Sequence, residues 1–302
     1  MPPRSIRWKS RAFDAAILVA PVIVSGFFLW LLADLLFQGS VYFWPSDSSA
    51  IQLSAIVDML QHIVMFLTAE PEKAGREGGV GPILVSTGLI LAVCMSVALP
   101  LGLGTAMLLS EFVSEASRFG RAVRRSLDIL AGVPSIVFGL FGNAFFCQWL
   151  GLQFSILAGG LTLACMVLPL LVRAAEEGFR AVPQSQRHTA AALGFSRSSL
   201  VLRIILPQAA PGILAGLILG IGRALAETAA LIFTSGYVDR MPQSLLDSGR
   251  AISVHIYDLS MNVPGGNSPA YASALVLVVL LVVLNFAAWW LVSRFLPRRS
   301  LS

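Results

Sequence analysis

Arg187 to Pro211 reads RHTAAALGFSRSSLVLRIILPQAAP, a polar and basic insert between two long apolar segments of an otherwise oily chain. Its frame sets Ala190 and Gly194, then nine residues, then Ile204 with Leu206 and Pro207 behind it. From Pro183 to Gly194 the run is short, amphipathic and helix-compatible, and Gly194 can take the left-handed conformation that ends a helix. A second short helix from Ser196 can then fold back, with Ser196, Ser198 and Ser199 offering capping hydroxyls. The expected product is a compact helical knob that offers Arg187, Arg197 and Arg203 to an acidic surface, with Pro207 at the turn into the next span. A basic connector that only obeys membrane topology is the simpler alternative, and the fixed register from Gly194 to Pro207 argues against it.

Outward from this insert the chain is apolar. Of its 302 residues 56% are hydrophobic and 12% charged, with a mean hydropathy of +0.80, whereas a soluble domain carries about 25% charge. A spanning helix needs about 20 mostly apolar residues, and six segments qualify, near Phe13–Phe37, Pro82–Ser110, Ile129–Leu150, Phe154–Val172, Pro211–Gly236 and Tyr271–Ser293. The third and fourth come from one uncharged run with a turn at Gly151, Leu152 and Gln153. The first follows Arg4, Arg7, Lys9 and Arg11, as a signal peptide would, but its apolar core exceeds the length of such a peptide and reads as a retained anchor.

With six spans and an inner N-terminus, the inner segments hold Arg4, Arg7, Lys9 and Arg11, then Arg118, Arg121, Arg124 and Arg125, then Arg173, Arg180, Arg187, Arg197 and Arg203, then Arg294, Arg298 and Arg299. These are 16 of the 21 Lys and Arg residues, so the excess of positive charge puts both termini in the cytoplasm. The same distribution explains the net charge of +5 and argues against nucleic acid as a partner. Cys94, Cys147 and Cys165 lie in apolar segments without paired spacing, which excludes an evident disulfide or metal site. Outside remain Val41–Gly81, with Ile51, Leu53, Ile56, Val57, Leu60, Ile63 and Val64 at helical spacing, and the polar, turn-rich Tyr237–Ala270.

Arg223 and Glu227, in GRALAET, stand four residues apart; on one helix they share a face and can pair. Charges within a span usually face a bundle interior or a water-filled path. An anion pathway is one reading, with Arg223 offering positive potential and Glu227 limiting its strength; a static pair closing two helices together is the other. Gly212, Gly216 and Gly220 predict close helix packing. Pro134, in LAGVPSIVFGLFG, removes a backbone hydrogen bond and frees the carbonyl of Leu130, predicting a kinked span.

The segments LAGVPSIVFGLFG (130–142), ILPQAAPGI (205–213), IGRALAETAALIFTSG (221–236) and SVHIYDLSMNVPGG (253–266), with the Gly-to-Pro frame of the insert, resemble the phosphate-specific ABC importer permeases, and among them the PstA type. The likeness runs from about Phe66 to the C-terminus. It implies an all-α membrane protein of six transmembrane helices, a MetI-like permease core with an added N-terminal helix. It divides the chain into residues 1–40, the tail and first span; 41–81, an outer amphipathic segment and loop; and 82–296, the permease domain, with residues 176–210 as the ATPase coupling loop. His188, Thr189, Ala190, Gly194, Ile204, Leu206 and Pro207 would form the coupling motif, and Arg223, Glu227 and Thr228 the family's RxxxET motif in the substrate pathway. The implied partners are two copies of a cytoplasmic ABC ATPase, a sister permease of the PstC type, a periplasmic phosphate-binding protein, phosphate itself and the lipid bilayer, with no cofactor. In one respect the chain departs from the pattern: His188 stands where the loop motif has Glu, and Thr189 where it has its first Ala.

Neither lysine, Lys9 nor Lys73, follows Gly in a phosphate-cradling GxxxxGK[ST] loop, so ATP hydrolysis belongs to another subunit. A membrane enzyme is the rival class, and HExxH and GxSxG are both missing. Two nearer alternatives are a permease for molybdate, sulfate or phosphite, and a membrane scaffold or sensor without transport.

Overall fold

A computed structural model describes residues 4–44, 53–114 and 116–295. Ile51, Arg298 and Arg299, used above, lie outside the described residues. Helix α1 (Arg4–Phe43) is followed by α2 (Leu53–Thr68) and a small antiparallel hairpin of β1 (Pro71–Glu72) and β2 (Glu77–Gly78). Next come α3 (Gly81–Met107), prolonged by a π-helical turn over Leu108–Phe112, α4 (Arg118–Ala131), and α5 (Ser135–Gly142), prolonged by another over Asn143–Trp149. Then follow α6 (Ile156–Arg180), α7 (Gln184–Ala192), α8 (Arg197–Leu200), a third π turn over Val201–Ile205, α9 (Leu206–Leu225), α10 (Ala229–Ile232), α11 (Ile252–Met261) and α12 (Asn267–Phe295).

Among the described residues five helical stretches are long and apolar enough to cross a bilayer: Ile17–Phe43, Gly81–Phe112, Ile156–Arg180, Arg197–Leu225 and Asn267–Trp290. The sixth is broken, because α4 meets α5 and its π continuation at 102°. The sequence suggested one span from Ile129 kinked at Pro134. Instead α4 stops at Ala131, and the amides of Gly132 and Val133 donate to the carbonyls of Ile129 and Leu130 at 3.1 and 3.2 Å, so the Leu130 carbonyl is not freed. Pro134 is extended and opens α5, as proline suits a helix start. The apolar end of the amphipathic, arginine-bearing α4 had merged in the sequence with the span behind it.

Helix α6 is the central element. Ile156, Leu163, Val167, Val172 and Phe179 on it are all 1% exposed or less. It packs against α3, where a Cβ on Gly160 would lie 2.5 Å from Val93 Cγ1, and as closely against α9. A Cβ on Gly212 would stand 2.5 Å from Gly178 Cα, on Gly216 2.5 Å from Ala174 Cβ, and on Gly220 2.9 Å from Val167 Cγ1. The four-residue glycine spacing is thus the seam that lets α9 approach α6. On one flank α1 lies along α12, with Gly39 against Leu275, and its outward side chains from Ile17 to Trp30 are exposed. Phe43, Phe66, Val80, Ile83, Ile252 and Ala272 form a separate core that joins α1, α2, α3, α11 and α12.

The fifth span also differs from its sequence reading. It was expected from Pro211 to Gly236, entered through a turn at Pro207. The helix runs instead from Arg197 to Leu225, carrying Pro207 and Pro211 inside it, and the π turn over Val201–Ile205 precedes them. It stops at Leu225, well short of Gly236.

Candidate functional site

The break after Leu225 decides the geometry of the charged motif. Glu227 lies beyond the helix, 7% exposed, and its Oε1 accepts a hydrogen bond from the Ala230 amide at 3.2 Å, supporting the start of α10. Its backbone carbonyl accepts from the Ser253 hydroxyl at 2.6 Å, which ties the break to α11. Thr228 stands at the N-cap of α10, half-buried, and its carbonyl accepts from the Ile232 amide at 3.1 Å. Short α10 is held between α5 and α6: a Cβ on Gly139 would meet Ala230 Cα at 2.9 Å, and one on Gly159 the Leu231 Cδ2 at 3.2 Å.

Arg223 therefore does not share a helical face with Glu227, and no ion pair between them is found among the described residues. The guanidinium is exposed, and its recorded polar contact is with Met166 Sδ at 4.0 Å. Met166 lies ten residues along α6 from Ile156, about 15 Å at 1.5 Å per residue. Arg223 is thus a cation at mid-depth of the bundle, on an outward surface, beside a helix break whose acid is turned inward to backbone donors. A guanidinium in that position is free to meet an anion by charge and by paired N–H donation.

The knob lies at the other end of the same long helix. Helix α7 closes in a Schellman turn: the Phe195 amide donates to Ala190 O at 3.1 Å and the Gly194 amide to Ala191 O at 3.0 Å, with Gly194 at φ +77°, as its left-handed role requires. Ser196 caps α8, its hydroxyl accepting from the Ser199 amide at 3.3 Å. His188 and Thr189 are exposed, Ala190 is buried, Ile204 and Leu206 are half-buried, and Pro207 is exposed. Of the three arginines expected to face an acidic surface, only Arg203 points out unengaged by any recorded partner. Arg197 lies 5.9 Å from the Phe112 ring centroid, and Arg187 turns into the protein. Sequence reasoning missed the apolar tip, Leu193 at 71% and Phe195 at 40% exposure, although two large apolar residues flanking a turn glycine were a legible signal.

At the end of the bundle opposite the knob, Arg250, 8% exposed, donates through Nε to Tyr237 O at 2.8 Å and pairs through Nη1 with Asp258 at 3.2 Å. Its Nη1 also lies 3.5 Å from Nδ1 of buried His255. Among the described residues no group of acids, histidines and cysteines is arranged to hold a metal ion.

The family model described as "Binding-protein-dependent transport system inner membrane component" matches residues 98–300. The chain is 29% identical over 267 residues to the probable ABC transporter permease protein YqgI of Bacillus subtilis, covering 80% of this chain and 90% of that protein. It is 36% identical over 213 residues to the phosphate transport system permease protein PstA 1 of Mycobacterium tuberculosis, covering 70% of this chain and 69% of that protein. Among solved structures, a chain of a bacterial ABC transporter involved in the import of the acidic polysaccharide alginate superposes with a TM-score of 0.60 at 14% identity, covering 97% of this chain and 99% of that one. The helical fold, the apolar spans and these matches converge: the chain belongs to the inner membrane components of binding-protein-dependent transport systems, as a multi-pass ABC transporter permease of the MetI-like type.

Proposed function

We propose that this chain is the PstA-type permease subunit of an ATP-driven importer that carries inorganic phosphate across the bacterial inner membrane. The observation that carries the reading is Arg223, a cation at mid-depth of the bundle with no carboxylate partner among the described residues. Similarity to phosphate transport permeases supports phosphate as the anion. Arg223 draws the anion in, while Glu227 and Thr228, at the break, hold the pathway wall. Arg223 faces a sister permease of the PstC type, because lipid is a poor neighbour for a guanidinium. Two copies of a cytoplasmic ABC ATPase engage the knob through Leu193, Phe195 and the motif residues His188, Thr189, Ala190, Gly194, Ile204, Leu206 and Pro207, and a periplasmic phosphate-binding protein delivers the substrate. Residues 1–40, 41–81 and 82–296 are the anchor, outer segment and permease domain, with both termini cytoplasmic. One guanidinium recognises charge more than identity, so molybdate, sulfate and phosphite are the competing substrates.

The test is uptake of radiolabelled orthophosphate in cells lacking this chain and complemented with wild type or Arg223→Ala, with excess molybdate, sulfate or phosphite as competitors. Wild type restores uptake that the other anions do not compete away, and Arg223→Ala assembles but takes up only background label. Normal uptake by the variant sinks the pathway role, and competition by another oxyanion reassigns the substrate.

A further inference from the structure

The knob is joined to the spans by a half-buried ion pair that its own sequence does not announce. Arg187 of α7 and Glu111, in the π turn ending α3, have side chains 16% and 8% exposed. Nη2 of Arg187 donates to Oε1 at 2.7 Å and Nε to Oε2 at 3.3 Å, a two-pronged contact that fixes orientation as well as distance. The same guanidinium donates to the carbonyls of Phe179, at the end of α6, and Val182, in the connection behind it. One planar fork therefore gathers α7, α3 and α6. Beside it Arg124 of α4 donates to Glu176 at 2.9 Å and to Leu109 O, in the same π turn, at 2.8 Å.

The knob reaches the core by its two covalent ends and by the fork. Residues 181–183 join α6 to α7, and α8 continues into α9. With the covalent ends alone, displacing the knob can leave α3 behind. With the fork, α3 is carried together with α6 and α9.

We propose that Arg187 and Glu111 are positioning residues that make the knob and these three helices move as one body, so that a pull on the knob reaches the surface around Arg223. The inference rests on the ATPase coupling proposed above. A largely enclosed, multiply hydrogen-bonded pair suits this role because its worth lies in the arrangement it enforces more than in net stability.

The test uses the whole complex in proteoliposomes, with a cysteine at Leu101, exposed on α3, and a maleimide probe. Its readout, the ATP-driven change in labelling rate at position 101, does not depend on which anion is carried. In Glu111→Gln that change shrinks about ten-fold, within the range of measured coupling between sites, while copurification with the ATPase and ATP hydrolysis persist. Arg187→Lys combined with Glu111→Gln is no worse than the worse single variant, as a shared interaction requires. An undiminished change in Glu111→Gln overturns the proposal. So does a loss of copurification and hydrolysis in proportion to the labelling, which would make the pair only structural. Wild type with no ATP-driven change overturns the ATPase reading itself, and this inference with it.

Discussion

His255 is 1% exposed on α11, with its ring packed where a Cβ on Gly75 would lie 2.5 Å from Cε1. Burial, and after it the Arg250 guanidinium, push the imidazole from its ordinary 6.5 down to about 4, and Asp258 opposes them. Between these values the unfolded chain binds a proton that the folded chain refuses. Stability is therefore whole above about pH 6.5 and declines as the pH falls towards 4, by up to about 3 kcal/mol from this residue. Thermal unfolding of detergent-solubilised protein should shift to lower temperature from pH 7 to pH 4.5. In His255→Gln, which cannot charge, that slope should flatten; an equally steep slope would assign the acid sensitivity elsewhere. Arg223 and Glu227 teach the opposite lesson at the same scale. Four-residue spacing promised an ion pair, and a helix end between them sent one side chain outward and the other to backbone donors.

Among elements, the knob was the most legible. The Gly194 stop, the Ser196 cap and two short helices follow from local rules that need no distant partner. Replacing Gly194 by Val forces a β-branched residue to φ +77°, although the space around it is open, so the cost is backbone strain of about 1–2 kcal/mol or more. Copurification of the ATPase with Gly194→Val should fall roughly ten-fold on that strain, and undiminished copurification would show that the knob tolerates another path. Where sequence reasoning slipped, the cause was tertiary. AETAA has no glycine or proline to stop a helix, and what holds the chain open there is Ser253, 26 residues away, bonding the Glu227 carbonyl. Pro207 and Pro211, read as boundaries, sit inside α9. The elbow at Pro134 was invisible because apolar residues on both sides of it formed one run. Glu111 and Glu176, the acids that gather the inner helices, lie 76 and 52 residues from their arginine partners Arg187 and Arg124, beyond any local pattern.

For the whole molecule, the arginine-rich α4 and the knob belong to one side, and the hairpin, α11 and the Arg250 cluster to the other. A cysteine at exposed Ser198 should react with a membrane-impermeant maleimide in inverted vesicles and not in intact cells; labelling in intact cells would reverse the orientation. From Ile17 to Trp30 helix α1 exposes an almost unbroken apolar surface, whereas the surface near the end of α9 carries Arg223. That asymmetry has a consequence for the life of the chain. Synthesised without a companion subunit, it would present a guanidinium to acyl chains, at a cost of about 2.5–3.5 kcal/mol on insertion scales. The arginine proposed to serve the anion in a finished complex would make an orphaned copy an uneasy resident of the membrane, and so would tie the survival of the chain to its assembly.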